Sequence, residues 1–219
     1  MNLNADEPDP SYARFLEASP PQDDIACAYT MTHSSADSGV RVERFSPERR
    51  WRLISVDGSE PSESELVDYE AEADERMSRR NSPTDLEFLS KVKSGTVKVD
   101  RENAETIEFV FVPEMGEDIP DEMAQKMSGR LTVAKDSMRP MKSMISLNEP
   151  ASPMTGVKIR RLEQEAIFVK DHATGATLVK SMNFEVHGRA FVVKRISQQE
   201  KVAFSEFDCK LVEAQPIGP

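Results

Sequence analysis

The residue types that most often perform catalysis or bind metal are sparse and widely separated in this chain. Its three histidines, His33, His172 and His187, lack the spacing that places two imidazoles on one metal ion. Asp171 and His172 are adjacent, and neighbours in a strand point to opposite faces, so we expect them not to act together. There is no Gly-x-Ser-x-Gly motif and no glycine-rich phosphate loop. A hydrolase would need a serine and a histidine brought together from distant strands. We predict that the protein is not an enzyme and uses no metal or cofactor.

The two cysteines, Cys27 and Cys209, lie in the first and last predicted strands. A disulfide between them would close a very long loop and stabilise the fold by on the order of 4–5 kcal/mol in the chain-entropy model. Two buried thiols are the alternative, because a free cysteine packs well as a small hydrophobic residue. A disulfide requires the two Cα atoms to lie within bridging distance, which the sequence does not specify.

The charge balance excludes several classes of partner. A formal net charge of −11 argues against nucleic acid and against an anionic membrane surface, since both are recognised by clustered Lys and Arg. No segment approaches the roughly 18 apolar residues of a membrane span. The first eight residues have neither a basic region nor an apolar run, so we expect no signal peptide in the sequence as written. A chain trimmed of a leader would look the same.

The chain length of 219 residues suits one substantial domain. We predict a flexible N-terminal segment over residues 1–20, because residues 1–10 are acidic and rich in proline. A short helix is expected within it at Ser11–Ala18, ended by Pro20 and Pro21. A single domain is expected over residues 21–214.

Alternating apolar and polar residues predict a chain dominated by β-strands. The first seven are predicted at Ile25–His33, Val40–Phe45, Trp51–Val56, Thr96–Val99, Thr106–Val112, Gly129–Lys135 and Met141–Leu147. Four long strands follow, at Gly156–Asp171, Ala176–His187, Gly188–Ser197 and Lys201–Val212. Thr106–Val112 is apolar on both faces at its end, which predicts a central strand covered on each side. Long strands joined by short turns predict a curved antiparallel sheet of the α+β class.

The strongest helix signal is a capping box, with Ser62 at the N-cap and Glu65 three residues later. It predicts a helix over Ser62–Met77, and weaker signals predict helices at Ser82–Val92 and Ile119–Met127. Nine acidic residues and no basic one lie between Asp57 and Glu75. This run is either a solvated helix face or a docking surface for a basic protein partner.

The apolar residues indicate binding more than catalysis. Eleven methionines are suited either to filling a core or to lining a cavity for loosely defined apolar ligands. Near Ser205 the apolar residues of the last strand change from even-numbered to odd-numbered positions. This change predicts a β-bulge that bends the strand. Seven bulky residues, in strands expected to face the helices, are the candidates to line a hydrophobic groove: Trp51, Leu53, Phe109, Phe111, Met144, Met182 and Phe184.

The order of elements resembles that of a known family. A hairpin ending in Trp51–Gly58 leads into the capped helix, Gly129–Val133 runs into Arg139–Met141, and the long terminal strands pass through Asp171–Gly175. This order, over about residues 25–212, resembles the periplasmic lipoprotein carriers of the LolA and LolB type. The resemblance implies an unclosed half-barrel with helices over its concave face and a periplasmic location, which would suit a Cys27–Cys209 bridge. It also implies a non-enzymatic protein that holds an acyl chain, lipid or lipoprotein in its concavity. The alternative is an interaction or scaffold protein of the cell envelope with a filled core and an acidic docking helix.

Overall fold

The structure is a computed structural model, which describes residues 9–18, 25–48, 50–72, 83–84, 86, 89, 91–114, 121–191 and 194–212. Its main feature is one antiparallel sheet of eleven strands. The strands are β1 Ile25–Ser35, β2 Gly39–Ser46, β3 Arg50–Val56, β4 Lys98–Glu102, β5 Thr106–Phe111, β6 Met127–Ala134, β7 Pro140–Leu147, β8 Ala151–Met154, β9 Val157–Lys170, β10 Thr177–Ala190 and β11 Lys194–Leu211. Within these residues the helices are α1 Pro10–Ala18, α2 Glu63–Ala71 and α3 Asp121–Ala124.

The strands pair in the order β3-β2-β1-β11-β10-β9-β7-β6-β5-β4, with β8 added beside β9. The two ends of this order, β3 and β4, do not pair with each other, so the sheet is an unclosed half-barrel. The last strand of the chain, β11, pairs with the first, β1, in the interior of the sheet. The predicted α+β fold class, a long curved antiparallel sheet with helices packed over its concave face, is confirmed.

Helix α1 closes part of the concave face. Its Tyr12 and Phe15 side chains are fully buried, and the Tyr12 ring meets Phe109 of β5 edge to face at 5.5 Å between centroids. The Tyr12 hydroxyl donates a hydrogen bond of 3.0 Å to the Leu89 carbonyl oxygen. Burial raises the pKa of Tyr12 to about 12. The helix predicted at Ser11–Ala18 is therefore present and contributes directly to the core, while the domain boundary at residue 21 stays a prediction.

Helix α2 begins as the sequence predicts. The Ser62 hydroxyl accepts a hydrogen bond from the Glu65 backbone N–H at 3.3 Å, and Glu65 accepts one from the Ser62 backbone N–H at 2.7 Å. These reciprocal bonds confirm the capping box. The helix ends at Ala71, and Met77, the predicted end, lies outside the described residues.

The C-terminal strands differ from the prediction in number. Three strands, β9, β10 and β11, replace the four that were predicted, because β10 continues through Gly188 to Ala190 before the chain turns. Phe191 marks this turn: it has a φ of 52° and its side chain is 73% exposed. The apolar run that predicted a strand at Gly188–Ser197 is thus interrupted by a hairpin turn. The predicted bulge is confirmed, since the β1–β11 register shifts beside Ser205.

Three shorter predictions have different outcomes. Strand β5 is not covered on both faces: its residues alternate between buried and half-buried, and it lies next to the edge strand β4. The helix predicted at Ile119–Met127 is described only as the short α3, and Met127 begins β6. The helix predicted at Ser82–Val92 stays a prediction, because about half of its residues lie outside the described ones. Val92, its predicted last residue, forms a β-bridge with Pro113.

A strand glycine allows the aromatic packing on β5 and β6. Gly129 of β6 lies directly opposite Phe111 of β5. A Cβ atom at position 129 would come within 2.1 Å of the Phe111 ring, so the ring occupies the space that any side chain there would take.

Replacing Gly129 with alanine is therefore expected to lower the free energy of unfolding by about 1–3 kcal/mol, because the Phe111 ring must move in a packed core. Urea unfolding followed by circular dichroism measures this loss. Adding Phe111→Leu, which removes the ring, should make the double variant more stable than the sum of the two single losses predicts. Strict additivity would show that the close approach of Gly129 and Phe111 does not limit stability.

Candidate functional site

The register of the sheet defines which side chains share the concave face. Directly paired residues form a row that crosses six strands from the buried core to a more polar region: Leu131, Ser143, Ala166, Met182, Val202 and His33. The next residue along this row is Arg41 of β2. The concave face therefore changes from apolar at β6 to charged at β2.

The apolar half of the concave face is filled by the protein itself. Tyr12 and Phe15 from α1 lie in one core cluster with Phe109, Leu131 and Leu178, and all five are essentially inaccessible to solvent. No ligand can enter this half without displacing α1.

The other half contains a partly open pocket of about 480 Å³, which we call the concave-face pocket. Its apolar wall consists of Met31, Trp51, Met182, Phe184 and Val202. Its polar lining is His33, Ser38, Arg41, Glu43, Glu72, Gln164, Asn183 and Glu200. Ligand pockets in proteins typically measure about 300–1,000 Å³ and combine apolar walls with a few polar groups. The size and lining of this pocket fall within that pattern.

Strand β2 presents two of its charged residues, Arg41 and Glu43, inward. Glu43 pairs with Met31 of β1 and Leu53 of β3, and only 4% of its surface is exposed, whereas Val40 is 40% exposed. The alternation of valines and charged residues correctly predicts a half-buried strand. The side that faces inward, however, is the one that carries Glu43 and Phe45, and not the one that carries the valines. Phe45 contacts Tyr29 with 5.1 Å between ring centroids, and this aromatic contact sets the inward face.

The pocket is electrostatically asymmetric. Three carboxylates line it, Glu43, Glu72 and Glu200, against one guanidinium, Arg41, and one imidazole, His33. Burial, and to a smaller extent the negative charge of Glu43, raise the pKa of the nearby Tyr29. Among the described side chains that line the pocket, negative charge therefore predominates.

Six of the seven predicted lining residues fall into two groups. Trp51, Met182 and Phe184 line the concave-face pocket. Phe109, Phe111 and Leu53 are buried, the two phenylalanines within the main core cluster.

Met144 is not brought to the pocket. It pairs with Arg130 and Glu165, and it occupies the face of β7 opposite to the buried Ser143. On that convex face Arg130 forms ion pairs with Glu108 at 2.7 Å and with Asp100 at 3.1 Å.

Sequence reasoning missed the polar residues of the pocket. Arg41, Glu43, Gln164 and Glu200 come together only through the pairing of β2, β9 and β11 with their neighbours. One local signal exists: Arg41, Glu43 and the aromatic Phe45 are two residues apart along the strand, so all three point to the same face.

A Ser–His–Glu contact occurs on the convex face. His187 Nε2 lies 2.6 Å from Glu185 Oε1, and Ser197 Oγ lies 3.2 Å from His187 Nδ1. Ser197 and His187 are directly opposite on β11 and β10, so cross-strand pairing alone accounts for their proximity. Both Glu185 and His187 alternate with Phe184, which lines the pocket, and therefore project away from it. None of these three residues lines the concave-face pocket.

The two cysteines are bonded in the structure. Cys27 and Cys209 are directly opposite each other on β1 and β11, both are buried, and their sulfurs form a disulfide. The bridge joins the first strand to the last.

No group of three or more His, Cys, Asp or Glu side chains among the described residues could hold a metal ion. Within the same residues, no helix has the length and apolar character needed to cross a membrane.

Comparisons with known proteins give weak similarity only. No protein-family model and no curated protein matches the chain. The crystal structure of MucB in complex with MucA(peri) matches with a TM-score of 0.22 and 11% identity, covering 92% of this chain and 99% of that chain. The complex structure of Pseudomonas aeruginosa MucA/MucB matches with a TM-score of 0.22 and 10% identity, covering 97% and 100%.

Proposed function

We propose that this protein is a non-enzymatic, periplasmic binding protein that holds the apolar part of a ligand, such as an acyl chain, in the concave-face pocket. The observation that carries the proposal is the apolar wall of that pocket, on the face of the half-barrel that α1 leaves uncovered. The LolA-like resemblance of the sequence agrees with this assignment, and lipoprotein transfer belongs to the proposal.

The apolar wall suits a flexible chain better than a rigid, polar ligand. Met31 and Met182 have unbranched, polarizable side chains that adapt to irregular apolar shapes. Trp51 and Phe184 supply large surfaces, and burying such a side chain against a ligand stabilises the complex by about 1.5–3 kcal/mol. Trp51 is the single tryptophan of the chain, so its fluorescence reports directly on occupation of the pocket.

The periplasmic location draws support from the disulfide. Disulfides persist in oxidising compartments, which include the bacterial periplasm, and are rare where thioredoxin and glutathione keep thiols reduced. The Cys27–Cys209 bond is buried between two interior strands of the sheet, as expected for a structural bridge.

A second candidate function is an interaction protein that binds a basic partner through α2. The exposed surface of this helix carries Leu66 and Val67, which are 41% and 61% exposed, among acidic residues. The filled apolar half of the concave face also fits this candidate, since a scaffold needs no open cavity.

Native mass spectrometry of the protein purified from cells, followed by titration with dodecanol and Trp51 fluorescence, tests the first candidate. We expect either a bound lipid in the native spectrum or saturable uptake of dodecanol with a change in Trp51 emission. Phe184→Ala should weaken dodecanol binding about tenfold, the equivalent of about 1.4 kcal/mol. Phe191→Ala is the matched control, because Phe191 is 73% exposed at a turn and lies outside the pocket. A ligand-free mass with no uptake would refute the carrier and leave the interaction protein.

A further inference from the structure

One end of the sheet is basic, although the protein as a whole is acidic. The net charge is −11, yet residues 154–160 and 189–195 contain five basic residues and no acidic one. The two segments lie side by side, since Ala190 is directly opposite both Val157 of β9 and Lys194 of β11. We call their described residues, 154–160, 189–191 and 194–195, the basic tip. The overall charge argues against an anionic membrane surface, but the charge of this region does not.

The basic tip projects beyond the neighbouring strand β1. Strand β11 pairs with β1 from Leu211 back to Glu200, whereas its pairing with β10 continues as far as Lys194. The six residues 194–199 of β11 therefore extend past the end of β1, by about 20 Å along the strand. The tip is thus an extremity of the sheet, where a surface outside the protein can reach it.

Three cations of the basic tip form a row without counter-charge. Arg189 is directly opposite Lys158 of β9 and Arg195 of β11, and all three are exposed. Like charges that lie directly opposite each other in a sheet are destabilising. Among the described residues no carboxylate forms an ion pair with any of the three, whereas nearby Arg161 pairs with Glu163 at 2.9 Å. The row is therefore available to an anionic partner.

Two apolar side chains are exposed within the same tip. Phe191 is 73% exposed and Met154 is 65% exposed. The Phe191 backbone N–H donates a hydrogen bond to the Gly156 carbonyl oxygen, and a Cβ atom at position 156 would lie 2.8 Å from the Phe191 ring. Phe191 is thus held against the neighbouring turn while most of its ring faces solvent. Exposed apolar side chains beside unpaired cations are typical of segments that bind the membrane–water interface.

We propose that the basic tip docks the protein on an anionic phospholipid membrane. Phe191 and Met154 enter the interfacial region, and the cationic row contacts the lipid phosphates. An acidic protein would match the same charges, but a narrow tip offers far less than the roughly 800 Å² per partner of a typical protein interface. A few inserted side chains and several cations are, by contrast, sufficient for a membrane surface. The inference uses no residue of the concave-face pocket and goes beyond the proposed function.

Vesicle flotation measures the docking directly, with the full chain and vesicles of phosphatidylcholine alone or mixed with phosphatidylglycerol. We expect the mixed vesicles to bind about tenfold more tightly or better, because each basic residue near an anionic surface strengthens binding about fivefold. Added salt should weaken this binding, because it screens the charges. A Phe191→Trp variant in a Trp51→Phe background should shift its emission to shorter wavelength only with mixed vesicles, since the ring then leaves water.

Matched variants locate the contact. Arg189→Gln/Arg195→Gln removes two cations of the row and should weaken binding to mixed vesicles about twentyfold. Lys201→Gln/Lys210→Gln is the control: it removes the same charge from exposed positions of β11, but neither lysine lies in the basic tip. Phe191→Ala should weaken binding about tenfold, because the buried apolar area is lost.

Two results would overturn the inference: no binding to mixed vesicles, or equal losses in the arginine variant and the lysine control. The rival partner is acidic protein, for which α2 of a second copy is available, so sedimentation velocity is measured on the same samples. Self-association that Arg189→Gln/Arg195→Gln abolishes, without vesicle binding, would also overturn the inference.

The outcome for the basic tip is separable from that for the pocket. Dodecanol binding, reported by Trp51, should be unchanged in Arg189→Gln/Arg195→Gln. A protein that binds mixed vesicles but no dodecanol would refute the proposed function and support the docking of the basic tip.

Discussion

Removing the Cys27–Cys209 bridge is expected to lower the free energy of unfolding by about 2–5 kcal/mol. The two cysteines are separated by 182 residues in the sequence, so the bridge closes nearly the whole chain into one loop. In the chain-entropy model a loop of this length restricts the unfolded state by about 5 kcal/mol. The bond also joins β1 to β11 in the interior of the sheet, where the N-terminal and C-terminal parts of the chain meet.

The experiment compares urea unfolding of three samples: the oxidised protein, the same protein in a thiol reductant, and the Cys27→Ala/Cys209→Ala variant. Both samples without the bridge should unfold at lower urea concentration and with a steeper dependence on urea, because an uncrosslinked denatured chain exposes more surface. The reduced wild-type protein controls for the small side-chain change, since it keeps both sulfur atoms. Equal unfolding midpoints in all three samples would show that the bridge does not stabilise the fold.

Truncating Phe109 to alanine is expected to cost about 3–5 kcal/mol of unfolding free energy. Phe109 is completely buried and contacts Tyr12 of α1 edge to face. The truncation leaves a cavity beneath α1 and removes an aromatic contact that is worth about 0.5–1.5 kcal/mol beyond its buried area. Val110→Ala on the same strand is the control, because Val110 occupies the opposite, half-buried face and should lose less.

The result for Phe109 also decides between two roles. The sequence makes Phe109 a candidate ligand-lining residue, whereas the structure places it in the filled half of the concave face. A core residue should change stability strongly and should leave the affinity of the concave-face pocket for dodecanol unchanged. A loss below about 1 kcal/mol together with weaker dodecanol binding would return Phe109 to the ligand-binding role.

Local patterns were sufficient for much of the secondary structure. The capping box of α2 involves two residues that are three positions apart, so its hydrogen bonds follow from the local sequence alone. The bulge beside Ser205 was visible as a change of parity within one strand. Strand positions such as β1 and β3 were also predicted well, because alternation with period two is a property of a single segment.

Tertiary structure decided everything that depends on which strands are neighbours. The inward direction of Glu43 follows from its pairing with Met31 and Leu53, and a shift of one residue in register would have turned it outward. Met144 and Met182 are the same residue type in similar strands, yet only Met182 faces the pocket.

The turn at Phe191 could not be read from its apolar sequence, because the pairing of β10 with β11 determines where the chain reverses. The same applies to the disulfide, which requires β1 and β11 to be adjacent. The sequence by itself therefore determined the β-rich half-barrel class and the two cysteines available for a bridge. The pocket and its charges were decided by long-range pairing, since side chains from distant segments meet only when the register of the whole sheet is set.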